Sequence, residues 1–260
     1  MLLETFLQLD AWILSLLFFV FMVLAWWLGQ IAGERNPSGG GESSRIEDAG
    51  IALFGLLLAF SFSNAANRYE NRKSHLSEDA IAIGDFATTA SALEGALPHQ
   101  IHEELIQYVK QRLEYGQMKL EDPKWSAMVA EGRTIQDRIW KLVQRAIREQ
   151  NTPSIHNSLL KGFNGMTMAH DNRHFGVQNH APGDILLMLV FLGLYATFVM
   201  GKGYIEKEKK RSPWIRVISY SLLISLVFAI MIDLEQPRKG LMRVSQTPMK
   251  DLLNNLSKEN

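Results

Sequence analysis

The chain has 260 residues, no cysteine, and 27 basic residues matched by 27 acidic ones. A formal net charge of zero gives no sign of nucleic-acid binding, and the missing thiols exclude disulfides, thiolate metal sites and cysteine nucleophiles together. The apolar residues are not spread evenly: four segments are dense in Leu, Phe, Ile, Val and Met, and a long charged stretch separates the second from the third.

The first apolar segment runs from about Ala11 to Ala32. A signal peptide would need a basic leader and a shorter apolar core. Here Glu4 and Asp10 precede the run, with no Lys or Arg before it. The run is about the ~20 residues that span a bilayer. Trp26 and Trp27 near its end suit the lipid–water boundary. It therefore reads as a retained membrane helix. Residues 33–48, with Pro37 and the Gly39–Gly41 run, form a connecting loop that no Lys-Ser/Thr follows, so no phosphate-binding loop is implied.

The second membrane helix covers residues 49–66, and no break separates it from the polar sequence beyond. It is expected to continue to Leu97 and stop at Pro98, a rod of about 50 residues or ~75 Å. Residues 67–183 read as a helical domain. Its second helix, His99 to about Leu120, carries Ile101, Leu105, Val109 and Leu113 as one apolar stripe. Asp122-Pro123 interrupts. The next helix, about Thr134 to Gln150, places Ile135, Ile139, Leu142, Val143 and Ala146 on one face. Asn151-Thr-Pro153 ends it, and a last helix covers about Ser154 to Val177. The third and fourth membrane helices are expected at about 185–203 and 214–232, within a segment 184–232, and residues 233–260 form a tail. The fold class is thus an all-α integral membrane protein with four spans.

Four spans place both termini and the helical domain on one side. Lys207, Lys209, Lys210 and Arg211 in the loop between the last two spans favour that loop as cytoplasmic; Arg68, Arg72, Lys73, Arg238, Lys239 and Arg243 favour the opposite side. The charge rule is close to a tie.

Phe54, Leu58 and Phe62 recur every four residues on nearly one face of the second span. Copies around an axis would stack apolar rings of the kind that gate by dewetting. Phe and Leu at this spacing more often pack or face lipid. Ser61, Ser63, Asn64 and Asn67 follow, with Arg68, Glu70 and Arg72. Polar side chains at membrane depth normally face protein or water. Snorkelling accounts for Arg68 but not for Asn64 together with the two serines.

The run Leu56-Leu-Leu-Ala-Phe-Ser-Phe-Ser-Asn-Ala-Ala-Asn-Arg-Tyr-Glu-Asn-Arg72 resembles the second transmembrane helix of bestrophins. Asp233-Leu-Glu-Gln-Pro237 and Pro248-Met-Lys-Asp-Leu252 are similar to elements after the last bestrophin helix. Leu58-Ala-Phe-Ser-Phe-Ser63, Ala66-Asn-Arg-Tyr69 and the stretch from Asp233 to Pro248 resemble, more closely, the bestrophin-like family of mainly bacterial membrane proteins. The resemblance implies an ion channel with one central pore in a homo-oligomer, a pentamer in bestrophins. It implies a bacterial inner-membrane location with cytoplasmic domain and termini, which breaks the charge tie. The pore neck would be Phe54, Leu58 and Phe62. The pore mouth would be Ser61, Asn64, Asn67, Arg68 and Glu70. Partners would be the permeant ions, membrane lipids and further copies of the chain, with no cofactor. Asp233 and Glu235 are the acids available for a bound calcium ion, without the clustered acids of eukaryotic members. The slightly positive ring edges of Phe point to anions such as chloride, although the family includes channels of both signs.

Other chemistry is weaker in the sequence. His170 and His174 lie one turn apart, with Asp171 and His180 nearby, but solvated or hydrogen-bonded histidines account for this pattern more simply than a metal site. His75 with Glu78 and Asp79 reads as helix-surface polarity, and Asp184 as a helix-start acid. No catalytic constellation is visible, so an enzyme is not expected. The rival to a channel is a non-conducting scaffold or sensor whose helical domain binds a partner.

Overall fold

The computed structural model describes residues 10–35, 45–119, 122–149, 152–179, 181–202, 213–236 and 238–258. The described residues form helices α1 (Ala11–Arg35), α2 (Arg45–Ser91), α3 (Leu97–Gln117), α4 (Trp125–Glu149), α5 (Pro153–Gln178), α6 (Gly183–Lys202), α7 (Pro213–Glu235) and α8 (Thr247–Lys258). They fall into two compact units. One holds residues 1–68 and 180–242, the other 69–179 and 243–260. The basic loop between α6 and α7 and His180 lie outside the described residues.

In the first unit, α1 packs along α6 and α7. The α1–α6 seam is made by glycines that let two backbones touch. A methyl group at Gly29 would run into the Phe198 carbonyl oxygen, one at Gly33 would lie 2.6 Å from the Lys202 carbonyl oxygen, and one at Gly201 would strike the Trp26 carbonyl. Small residues allow such close approach in lipid, where dispersion rather than water exclusion drives association. Thr197, fully buried in the seam, satisfies its hydroxyl on the Gly193 carbonyl at 3.0 Å. Phe18 meets Phe228 with ring centroids 4.7 Å apart, and Trp26 meets Trp214 edge-on at 4.9 Å. The outward sides of these helices remain apolar: Leu16, Phe191, Ile215 and Leu222 are all exposed. Among the described residues four helices, including α1, α2 and α7, are long and apolar enough to cross a membrane.

The second unit is a helical bundle built from the later turns of α2 with α3, α4, α5 and α8. Ile101, Leu105 and Val109 on α3 are fully buried, as are Ile139, Val143 and Ala146 on α4. Ile83 and Phe86 from α2 and Leu159 and Met166 from α5 join them, and Met249 and Leu256 bring α8 into the same core.

Several helix ends differ from the sequence expectation: α1 runs to Arg35 and α2 begins at Arg45, both inside the expected loop 33–48. α2 stops at Ser91 rather than Leu97, and the turn that follows contains Gly95 at φ +74°, a conformation that favours glycine. Pro98 then sits in the first turn of α3, where its missing N–H costs nothing. α4 begins at Trp125, nine residues before the expected start at Thr134. Asp122 Oδ1 accepts the Lys124 N–H at 2.9 Å and starts the helix before the buried face is reached.

Candidate pore helix and its polar clusters

α2 is a single helix of 47 residues. The structure separates the three residues expected at the neck. Phe54 and Leu58 are only 1% and 6% exposed, with Phe54 against the seam at Gly193. They point into the protomer's own packing, because the buried side of α2 runs through Phe54, Leu58 and Ala65. Burial within the protomer takes Phe54 and Leu58 off any surface that water or a second copy could reach. Phe62 stands at its margin, 36% exposed. The outward side carries other apolar residues: Leu53, Leu56 at 54% and Phe60 at 60% exposure. One turn further, Ser63, Asn64 and Asn67 are exposed, and Ser61 is half-buried.

The charged residues at the end of this stretch are engaged. Arg68 Nε donates to Glu235 Oε1 at 2.8 Å, and its Nη2 binds the same oxygen. The second Glu235 oxygen accepts the Ala181 N–H at 3.1 Å. Glu70, exposed, pairs with Lys73 at 3.0 Å. Asp233 is buried and its two oxygens accept the N–H groups of Leu241 and Met242, each at 2.9 Å. Gly240 makes room for that loop, since a methyl there would strike the Asp233 carboxylate. Asp233 and Glu235 therefore spend their oxygens on backbone N–H groups and Arg68. Asp184 lies in the first turn of α6, where a carboxylate suits the helix dipole.

The histidines on α5 are likewise taken up by hydrogen bonds. Gln136 Nε2 donates to the Tyr108 hydroxyl at 2.9 Å, and that hydroxyl lies 2.8 Å from His170 Nδ1. Burial, then the nearby Arg112 charge, pushes the His170 pKa down to about 3, so the ring is neutral. His174 Nδ1 lies 3.0 Å from the Tyr115 hydroxyl, and its ring stacks on Trp125. Asp171 is exposed. Among the described residues no group of three or more metal-ligating side chains forms.

One polar cluster escaped the sequence reading. Asp79, read as surface, is completely buried, and its Oδ2 accepts Arg112 Nε at 3.0 Å, Arg112 Nη2 at 2.7 Å and Arg173 Nη1 at 2.9 Å. Arg173 Nη2 reaches Gln246 Oε1 at 2.8 Å, and the Arg112 guanidinium lies 4.7 Å over the Tyr115 ring. Burial alone would raise the Asp79 carboxyl, but the two guanidinium groups outweigh it and hold it below the usual range. One acid cannot balance two bases: Arg173, buried and facing Arg112, is pulled down to about 10. The signal was present in the periodicity. Asp79 follows Leu76 by three and precedes Ile83 by four, Arg112 follows Leu105 by seven, and Arg173 follows Met166 by seven. Each charge occupies a core position of its helix.

The apolar helices and the charged cluster together make this a helical integral membrane protein carrying a helical bundle with a buried ionic core. The Bestrophin-like domain matches residues 50–249, and the chain belongs to the bestrophin-like family. No curated protein matches it. Its fold is similar to crystal structures of a bacterial bestrophin homologue from Klebsiella pneumoniae. Two point variants of that protein superpose with TM-scores of 0.72 and 0.68 at 10% identity, covering 96% and 94% of this chain and 97% and 96% of theirs. A third structure, of a variant membrane protein, gives 0.67 at 11% identity over 94% of this chain and 97% of that one.

Proposed function

We propose that this protein is an ion channel that conducts small monovalent ions through a central pore between copies of the chain, a pentamer by analogy with bestrophins, in the bacterial inner membrane with both termini cytoplasmic. The observation that carries the reading is the outward side of α2. It changes within one helix from large apolar side chains, Leu53, Leu56 and Phe60, to uncharged polar ones, Ser63, Asn64 and Asn67. An apolar constriction followed by polar groups is what a dewetting gate and its hydrated mouth require. With Phe54 and Leu58 buried in the protomer, the neck falls to Leu53, Leu56 and Phe60, with Phe62 at its edge. Asn64 and Asn67 replace part of the ions' hydration, and Arg68 and Glu235 brace the helix there.

A scaffold reading draws on Ile81, Met168 and Phe175, apolar side chains exposed on the helical bundle. Flux through proteoliposomes of the purified protein separates the two. A channel passes ions, and Phe60→Ala enlarges the conductance, whereas Phe54→Leu leaves it near the parent value. A folded oligomer that passes neither potassium nor chloride favours the scaffold.

A further inference from the structure

Beyond the neck, α2 keeps one exposed line at seven-residue spacing: Asn64, Asn71, Glu78 and Asp85, every one exposed. Residues seven apart on a helix share a face and lie ~10.5 Å apart along it. The line begins at the mouth residue Asn64 and becomes acidic two steps later. The cations of this part of α2 are held elsewhere. Arg68 binds Glu235, Lys73 pairs with Glu70, and Arg72 is buried and donates to the Asn179 carbonyl at 3.3 Å. Glu78 is met by the Ser74 hydroxyl at 2.8 Å and by His75 at 3.2 Å. Those hydrogen bonds hold its carboxyl below the usual range, so it is ionised at neutral pH. Asp85 has no cationic partner among the described residues.

We infer that Glu78 and Asp85 make the conduction path selective for monovalent cations. This rests on the channel reading, with α2 facing the axis. Around such an axis each residue is repeated once per subunit, and two carboxylate rings form. Their ~10.5 Å spacing exceeds the ~8 Å Debye length at physiological salt, so each ring acts mainly on the ions beside it. Rings of Asp and Glu concentrate cations and repel anions. The electropositive edge of a phenylalanine is a small partial charge beside a ring of full ones, so the acids override the anion preference expected from the neck. Cation and anion selectivity thus differ by residues beyond the constriction.

The test is the reversal potential of the full-length protein in planar bilayers under a potassium chloride gradient. The expected result is a potential near that for potassium. Glu78→Gln with Asp85→Asn should lower the potassium-to-chloride permeability ratio about tenfold. Asp137→Asn, an exposed acid on α4, should leave it unchanged. These are exposed polar substitutions that retain the fold, which circular dichroism checks. A chloride-selective parent current, or an unchanged ratio in the double variant, overturns the inference and leaves the channel reading standing. Absence of current from folded oligomers overturns the channel reading and this inference with it.

Discussion

Asp79→Asn tests the ionic core of the helical bundle. In the parent, one carboxylate oxygen receives three hydrogen bonds, at 2.7 to 3.0 Å, from two guanidinium groups. All three side chains are at most 5% exposed. Asparagine keeps the shape and an acceptor but removes the only negative charge between two buried positive ones. Removing one partner from a buried ion pair typically costs about 3–5 kcal/mol. That is a large share of the ~5–15 kcal/mol that stabilises a domain, and corresponds to a fall in Tm of roughly 6–20 °C. Arg173→Met behaves differently. It leaves the Asp79–Arg112 pair intact, removes the surplus charge and fills the space with an apolar side chain, so its cost stays below about 1.5 kcal/mol. Combining the two changes should cost less than their sum, because the second removes one of the charges stranded by the first. The assay is thermal unfolding of detergent-solubilised protein followed by circular dichroism, for both single variants and the double. The pH dependence has a defined sign. The Asp79 carboxyl is lowered in the fold, so its contribution is complete above the unfolded value of ~3.9 and is lost as pH falls through the folded value. A cost below about 1 kcal/mol for Asp79→Asn, or an equal cost for Arg173→Met, would refute the account of two bases sharing one acid.

Gly29→Ala should destabilise the first unit by about 1–3 kcal/mol, because the new methyl meets a backbone carbonyl that cannot rotate away. Gly55→Ala, on α2 with nothing within 4 Å of the added methyl, should be neutral or slightly stabilising; thermal unfolding in detergent compares them. His170 stays neutral in the fold, with its pKa down at about 3 against ~6.5 when unfolded, so protons bind the unfolded chain preferentially between those values. Its contribution to stability is complete above about pH 6.5 and declines at up to ~1.4 kcal/mol per unit below it. Denaturant titrations at pH 7, 6 and 5 should show that decline, and His170→Gln should flatten it. Asp233→Ala leaves the Leu241 and Met242 N–H groups without their acceptor, at a cost of about 1–3 kcal/mol. Faster amide hydrogen exchange at those two residues would locate the loss there.

The apolar periodicities read along the chain are core faces in the fold. Ile101, Leu105 and Val109 on α3 and Ile135, Ile139 and Val143 on α4 are buried as their spacing requires. They were legible because a helix repeats locally, every 3.6 residues, without reference to the rest of the chain. The family was legible from the contiguous motifs of α2 and the segment after α7. Helix ends were less so: α2 is over at Ser91, well before Pro98, and the positive φ of Gly95 in the turn between is a property of the folded chain.

The chain alone carries the material of this protein: four apolar segments of membrane length, helices with apolar stripes, and a family motif. Those properties depend on local composition and spacing. Which side of α2 is covered depends on how distant helices pack against it. Phe54 and Leu58 lie inside, and Leu53, Leu56 and Phe60 lie outside, because α6 packs against one side of the helix, with Gly193 at Phe54 and Tyr195 at Gly50. Periodicity defines a face but not what the face meets. The same holds for Asp79, Arg112 and Arg173, which are 33 and 61 residues apart in sequence and share one oxygen atom. A charge on an apolar stripe reads as an exception until the fold brings its partners to it.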